Sequence, residues 1–235
     1  MPAPWLANPA DCRLIKNQPE GRPIEHSAFT PPTVLQVDGL CWRYPQRELF
    51  ADWSARIPPG VTLVRGGDGS GKTTLLRLLA GELPAHAGQL QINHVRLRDQ
   101  PAAYRQQVFW ADPRSQAFDQ ITPADYFKSL HRGYPGFDAL LLGELTKGLS
   151  LAPHLDKPLY MLSTGSKRKV WLAAAFASGA AVTLLDEPFA ALDKASISFV
   201  LELLDRAAQH AARAWLIAHY EAPGDVALAA IIDLA

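Results

Sequence analysis

The chain has 235 residues and a mass of 25.7 kDa, enough for one large domain whose core needs no disulfides. With 48% hydrophobic and 20% charged residues it is too apolar and too weakly charged to stay disordered. Its 23 basic side chains balance 23 acidic ones, and that neutrality argues against a protein whose main business is gripping nucleic-acid phosphates.

No apolar run reaches the roughly 18 residues that a membrane-spanning helix requires. The amino end, MPAPWLANPADCRLIK, lacks a basic start followed by a continuous apolar stretch, so it does not read as a secretory signal. Cys12 and Cys41 form neither a metal-ligand spacing nor a disulfide framework, which fits a reducing compartment and a cytoplasmic location. Seven of the 19 prolines fall in residues 1–32, which read as a proline-rich extension, either loosely packed or draped on a partner.

The globular part is expected over residues 33–235. VLQVDGLCWRY and WSARI have the composition of strands, and Pro58-Pro59-Gly60 punctuates the chain before the next strand at residues 61–64. That strand runs into Gly66-Gly67-Asp68-Gly69-Ser70-Gly71-Lys72-Thr73-Thr74 and then the helical run LLRLLA, closed by Gly81. Glycines at this spacing let successive N–H groups point inward at phosphate oxygens, and the following helix adds the positive end of its dipole. Lys72 would reach the β- and γ-phosphates and the Thr73 hydroxyl would ligate Mg2+. The pattern predicts nucleoside triphosphate binding.

VFWA at residues 108–111 is a further strand, ending at Asp112. Residues 113–162 read as helical: Thr122-Pro123-Ala124-Asp125 has the form of a capping box with proline in the first helical position, and residues 138–151 carry apolar side chains at helical spacing. Residues 182–185 and 214–218 complete the set of buried strands. Strands alternating with helices imply an α/β fold with a mostly parallel sheet, whose ligands sit beyond the carboxyl ends of the strands. Asp186 and Glu187 follow one such end. Neighbouring side chains there point differently, so Asp186 can hold the Mg2+ shell opposite Thr73 while Glu187 orients and deprotonates a water, or stands as a solvated loop acid.

Taken in order, GGDGSGKTT, LSTGS at Ser163, Thr164, Gly165 and Ser166, TLLDEP, the following Asp193, and LIAH ending at His219 resemble the motif set of ATP-binding cassette (ABC) transporter ATPases. The resemblance runs from about residue 33 to the carboxyl end. It implies a P-loop NTPase with a small antiparallel β-subdomain and an inserted helical subdomain over about residues 113–165. It makes Glu187 the general base and His219 the γ-phosphate sensor. It assigns the signature residues Ser163 to Ser166 to the nucleotide of another cassette, and Asp193 to a contact across the dimer. Asp193 also suits an N-cap for the helix starting at Lys194. Tyr44 resembles the aromatic residue that stacks on adenine, although Trp42 lies on the same strand face and either could be core.

Two cassettes, identical or different, would pair head to tail around two ATP molecules and drive separate membrane-spanning subunits from the cytoplasmic face. No nucleic-acid partner is implied. The wording around Tyr134-Pro135-Gly136-Phe137-Asp138 resembles small exporter-type cassettes, including those for cytochrome c maturation. Two departures stand out. Thr164 and Ser166 replace the usual glycine and glutamine of the signature, and Asp112 is the nearest equivalent of a glutamine that bridges Mg2+ and water, with Gln116 or Gln120 as substitutes. Both departures bear on turnover more than on nucleotide binding. Lys167, Arg168 and Lys169 alone would read as a solvated basic face. After LSTGS they occupy the start of the signature helix.

Overall fold

Alternating buried and exposed side chains make the first two strands an antiparallel pair. β1 (Leu35–Tyr44) buries Leu35 and Val37, and it pairs with β2 (Arg47–Ile57) through a register running from Leu35↔Ile57 to Tyr44↔Arg47. The structure, a computed structural model, describes residues 32–112 and 114–234. The proline-rich extension expected over residues 1–32 lies, except for Pro32, outside the described residues. β2 begins six residues before WSARI, because pairing with β1 carries polar residues such as Arg47 and Glu48 into the ladder.

β3 (Gly60–Arg65) is followed by α1 (Lys72–Leu79), then β4 (Ala87–Ile92), β5 (Val95–Arg96), α2 (Pro101–Arg105) and β6 (Val108–Trp110). The segment expected to be helical contains α3 (Pro123–Gly133), α4 (Ala139–Gly148) and two short 3-10 turns, Ala152–His154 and Leu159–Met161. Thr122 caps α3 by accepting from Asp125 N, and Asp138 caps α4 by accepting from Leu141 N. The chain ends with α5 (Thr164–Ala177), β7 (Val182–Asp186), α6 (Lys194–Ala208), β8 (Ala214–Ala218) and β9 (Leu228–Asp233).

The strands form two sheets. One is antiparallel in the order β2-β1-β4-β5, and the other is parallel in the order β6-β7-β8-β3-β9. Because side chains alternate along a strand, β8 feeds two cores. Trp215 and Ile217 join the cluster under α3, α4, α5 and α6, while Ala214, Leu216 and Ala218 join the cluster under α1 and the antiparallel sheet. The central strands β7, β8 and β3 are thus buried on both faces, which leaves their carboxyl ends as the place where polar groups can gather. Among the described residues no helix is long and apolar enough to cross a membrane.

Tyr104 pins the end of α1. It is fully buried, and its hydroxyl donates to Leu79 O over 2.7 Å, satisfying a carbonyl that the helix cannot bond internally. Tyr104→Phe should therefore lower the unfolding free energy by about 1–3 kcal/mol in urea titrations, with an unchanged m-value.

Candidate active site

The turn from β3 into α1 is shaped by Gly71, whose φ of 102° is one that L side chains rarely adopt, and which caps α1 without a side chain. Lys72 opens the helix almost buried. Its Nζ donates to Gly66 O at 2.7 Å and Gly67 O at 3.0 Å, which holds the ammonium against the loop. Residues 68–74 line a cleft of about 600 Å3 into which the amino end of α1 points, an arrangement suited to an anionic ligand of nucleotide size.

Tyr44 closes one end of this cleft together with Leu49. The phenol hydrogen-bonds with Thr74 Oγ1 at 3.0 Å, and Trp42 meets the ring edge-on with centroids 4.4 Å apart. Trp42 in turn stacks on His86, so the ring presented to the cleft is that of Tyr44. Such a half-exposed aromatic face is suited to stacking on a base.

Asp186 and Glu187 close the opposite side. Asp186 is 9% exposed, and its Oδ2 accepts from Thr73 Oγ1 at 2.7 Å. Burial raises the Asp186 pKa; the Thr73 hydrogen bond opposes that rise, the Glu187 charge adds to it, and Arg114 and Arg168 draw it back. Glu187 takes a left-handed backbone with φ 46°, and its Oε2 lies 2.7 Å from His219 Nδ1. The His219 backbone N–H donates to Val64 O at the end of β3, which holds the residue at the carboxyl ends of β8 and β3. The fold thus brings Thr73, the adjacent pair Asp186 and Glu187, and His219 together from three separate stretches of sequence.

The first turns of α5 lie beside this acidic pair. Ser163 caps α5 by accepting from Ser166 N at 3.1 Å, and its hydroxyl donates to Ser166 Oγ at 3.0 Å. Ser163 and Thr164 are exposed, and only Thr164 of the four signature residues lines the cleft of its own chain. A Cβ on Gly165 would run into Ala191 O, so glycine lets α5 approach the loop after β7. The three basic residues that follow are not a solvated face. Lys167 pairs with Asp119 at 2.7 Å, Lys169 with Asp193 at 2.6 Å, and Arg168 Nη1 donates to Asp186 O and Glu187 O. Asp193 also accepts from Ser196 N as the N-cap of α6.

Asp112 sits just after β6, but its Oδ1 accepts from Arg114 N in a local turn, and the residue of this loop that lines the cleft is Arg114. Gln116 lines a smaller side cleft with Arg114 and Lys167, and Gln120 is exposed. Sequence reasoning passed over Arg114, Leu49 and Ala190 as cleft residues. No motif marks them, because they reach the cleft through the packing of loops rather than through a fixed spacing from the phosphate loop.

Two predictions follow from α5. Gly165→Ala should cost about 1–3 kcal/mol of stability in denaturant unfolding, since the added methyl must displace a backbone carbonyl. The ion pair with Lys169 and the bonds from Ser196 hold the Asp193 carboxyl well below the usual carboxylate range. A depressed folded-state value stabilises the fold above the unfolded carboxylate pKa of about 4 and loses that contribution as pH falls toward the folded value. Asp193→Asn keeps a cap acceptor without the charge. The stability gap between the two proteins should therefore be constant from about pH 5 to about pH 8 and close below about pH 4, as read from urea midpoints.

Comparison with known proteins shows the family. The sequence profile of the ABC transporter family matches residues 51–190, from β2 through the phosphate loop to the loop after Glu187. The cytochrome c biogenesis ATP-binding export protein CcmA of Pseudomonas savastanoi pv. phaseolicola is 34% identical over 168 residues, covering 71% of this chain and 79% of that protein. The protein of the same name from Pseudomonas syringae pv. syringae is 32% identical over 190 residues, covering 79% and 88%. Among solved structures, an ATP-binding subunit of an ABC transporter superposes with a TM-score of 0.71 at 24% identity over 80% of each chain. A nucleotide-free ATP-binding cassette from an ABC transporter superposes with a TM-score of 0.61 at 19% identity over 80% of this chain and 81% of that one. The structural likenesses establish the shared fold, and the sequence matches carry the phosphate loop and acidic strand with it. The chain therefore belongs to the ABC transporter family, as an ATP-hydrolysing cassette subunit.

Proposed function

We propose that this cassette pairs head to tail with a second one around two ATP molecules and so powers transport by separate membrane-spanning subunits. The observation that carries the proposal is the division within α5. Ser163 and Gly165 do not line the cleft that the same chain builds, and Ser163 is exposed, free to meet nucleotide held elsewhere. Similarity to CcmA, an ATP-binding export protein of cytochrome c biogenesis, supports an exporter-type partner and a place at the cytoplasmic face of a membrane. Residues 33–235 form the ATPase domain in this reading, with α3 and α4 inside an inserted helical subdomain of about residues 113–165.

Mg2+ suits the donors present. Thr73 Oγ1 and the Asp186 carboxylate are hard oxygen ligands 2.7 Å apart on facing elements, and this ion is commonly held by one or two carboxylates plus substrate phosphates. Once bound it would neutralise charge on the transferring phosphoryl group. Lys72 and the N–H groups of residues 69–73 hold the β- and γ-phosphates. Glu187 orients a water and takes its proton as the water oxygen attacks the γ-phosphorus and the bond to the β-phosphate oxygen breaks, leaving ADP and phosphate. His219, hydrogen-bonded through Nδ1 to Glu187, orients the carboxylate, and its other ring nitrogen donates to a γ-phosphate oxygen when the ring carries both protons. Asp112 is engaged in its own turn, so Thr73 and Asp186 take the metal role.

A second reading, a weakly hydrolysing cassette that gates a more active partner, is favoured by one contact. The Ser163 hydroxyl spends its proton on Ser166 Oγ, where the family's glutamine would stand. Ser166→Gln separates the two readings: a rise in turnover supports the weak cassette, and unchanged turnover supports the full hydrolase.

Glu187→Gln should lower ATP turnover by about 10²–10⁴-fold while ATP affinity is retained, and it should trap a dimer detectable by light scattering only when ATP is present. Turnover equal to the parent protein would remove Glu187 from the reaction, and a monomer at saturating ATP would remove the paired-cassette mechanism.

A further inference from the structure

We propose that Arg168 is a positioning residue for ATP hydrolysis, acting through the backbone of Asp186 and Glu187. The inference deepens the reading of Glu187 as general base and rests on it. One guanidinium nitrogen, Nη1, donates to two successive carbonyls, Asp186 O at 2.9 Å and Glu187 O at 2.7 Å. These carbonyls flank a residue in an unusual conformation. Glu187 has φ 46°, a region that a non-glycine residue occupies at a cost and keeps only where its surroundings hold it.

The main-chain contacts at this point are Glu187 N–H to Ala218 O at 3.0 Å and Ala190 N–H to Glu187 O at 3.1 Å. They tie the peptide to β8 and to the loop that follows, whereas Arg168 reaches it from the side of α5. The guanidinium is itself held in place. Lys167 is paired with Asp119 on one side and Lys169 with Asp193 on the other, so the turn of α5 carrying Arg168 is braced at both neighbours.

A carboxylate that must orient a water depends on its backbone torsions, because a small rotation about φ swings the side-chain oxygens through ångströms. Displacements of about 1 Å can cost about 10²-fold in rate. Arg168 also lines the cleft, and in this scheme it acts on the attacking water through the backbone of Asp186 and Glu187. Its two hydrogen bonds select the backbone conformation from which the Glu187 carboxylate meets His219 at 2.7 Å. Both bonds come from one nitrogen carrying two protons, a donor pair that an ammonium group can also supply. The prediction is a defect in turnover that spares binding.

The test uses the full-length chain. Arg168→Met keeps the aliphatic stem packed and removes the donors; Arg168→Lys restores a cation able to reach the carbonyls. Steady-state ATP turnover, KM and equilibrium affinity for a fluorescent ATP analogue are measured, with thermal unfolding as a check on the fold. The expected result for Arg168→Met is a fall in kcat of about 10–100-fold with KM and affinity within about twofold, and for Arg168→Lys a recovery of at least half the lost factor on a logarithmic scale. A kcat for Arg168→Met within about twofold of the parent overturns the proposal, as does a parallel loss of affinity, or a defect that lysine leaves unrepaired. Glu187→Gln, run alongside, keeps the two readings apart. Full turnover in that variant removes the general base, whereas full turnover in Arg168→Met with an inactive Glu187→Gln removes only the positioning role.

Discussion

A single hydrogen bond, Thr73 Oγ1 to Asp186 Oδ2, joins residues 113 positions apart and brings the phosphate loop to the acidic strand. It can form because β7, β8 and β3 lie side by side in one parallel sheet, with Asp186 paired to Ala218 and Val64 to Ala218 across the middle strand. All three strands then end at one level. The burial that makes this sheet stable also removes water from Asp186, so its charge has to be answered by nearby donors and cations. Thr73, Arg114 and Arg168 supply those answers from three different elements.

α5 is attached to that same strand end by more than packing. Its Gly165 rests against Ala191 O, its Lys169 pairs with Asp193, and its Arg168 bonds the carbonyls of Asp186 and Glu187. The helix that displays Ser163 outward is therefore mechanically continuous with the residues that close the cleft inward. If α5 meets a second nucleotide as proposed, such continuity would let events at one site register at the other. The Asp193 carboxylate illustrates how one residue serves both ends, capping α6 and holding Lys169 of α5.

Much of this was legible in the sequence where physical chemistry imposes a spacing. The phosphate loop is contiguous, since successive N–H groups must converge on one anion, and the caps at Thr122 and Asp193 are contiguous for a similar reason. Apolar runs at residues 61–64, 182–185 and 214–218 were readable as strands because burial on both faces permits almost no polar residue. The full length of β2 and the existence of β9 were not readable, because both are edge strands. Exposed residues such as Arg47 or Asp233 join them through pairing with β1 and β3 rather than through a hydrophobic pattern. The choice between Tyr44 and Trp42 likewise waited on the stacking of Trp42 against His86.

By itself, then, the sequence determined that a triphosphate loop precedes a helix and that two carboxylates end a buried strand, because those features depend on neighbours a few residues away. Only the tertiary structure decided which partners the charges take. Arg168 was one of three basic residues in a row, and its placement on the Asp186 and Glu187 carbonyls follows from how α5 docks on the end of β7. Asp112 was an acid after a strand, and the turn it forms with Arg114 puts a cation at the cleft instead. A charge finds its counterpart through space, and sequence distance does not constrain which group the fold brings within hydrogen-bonding range.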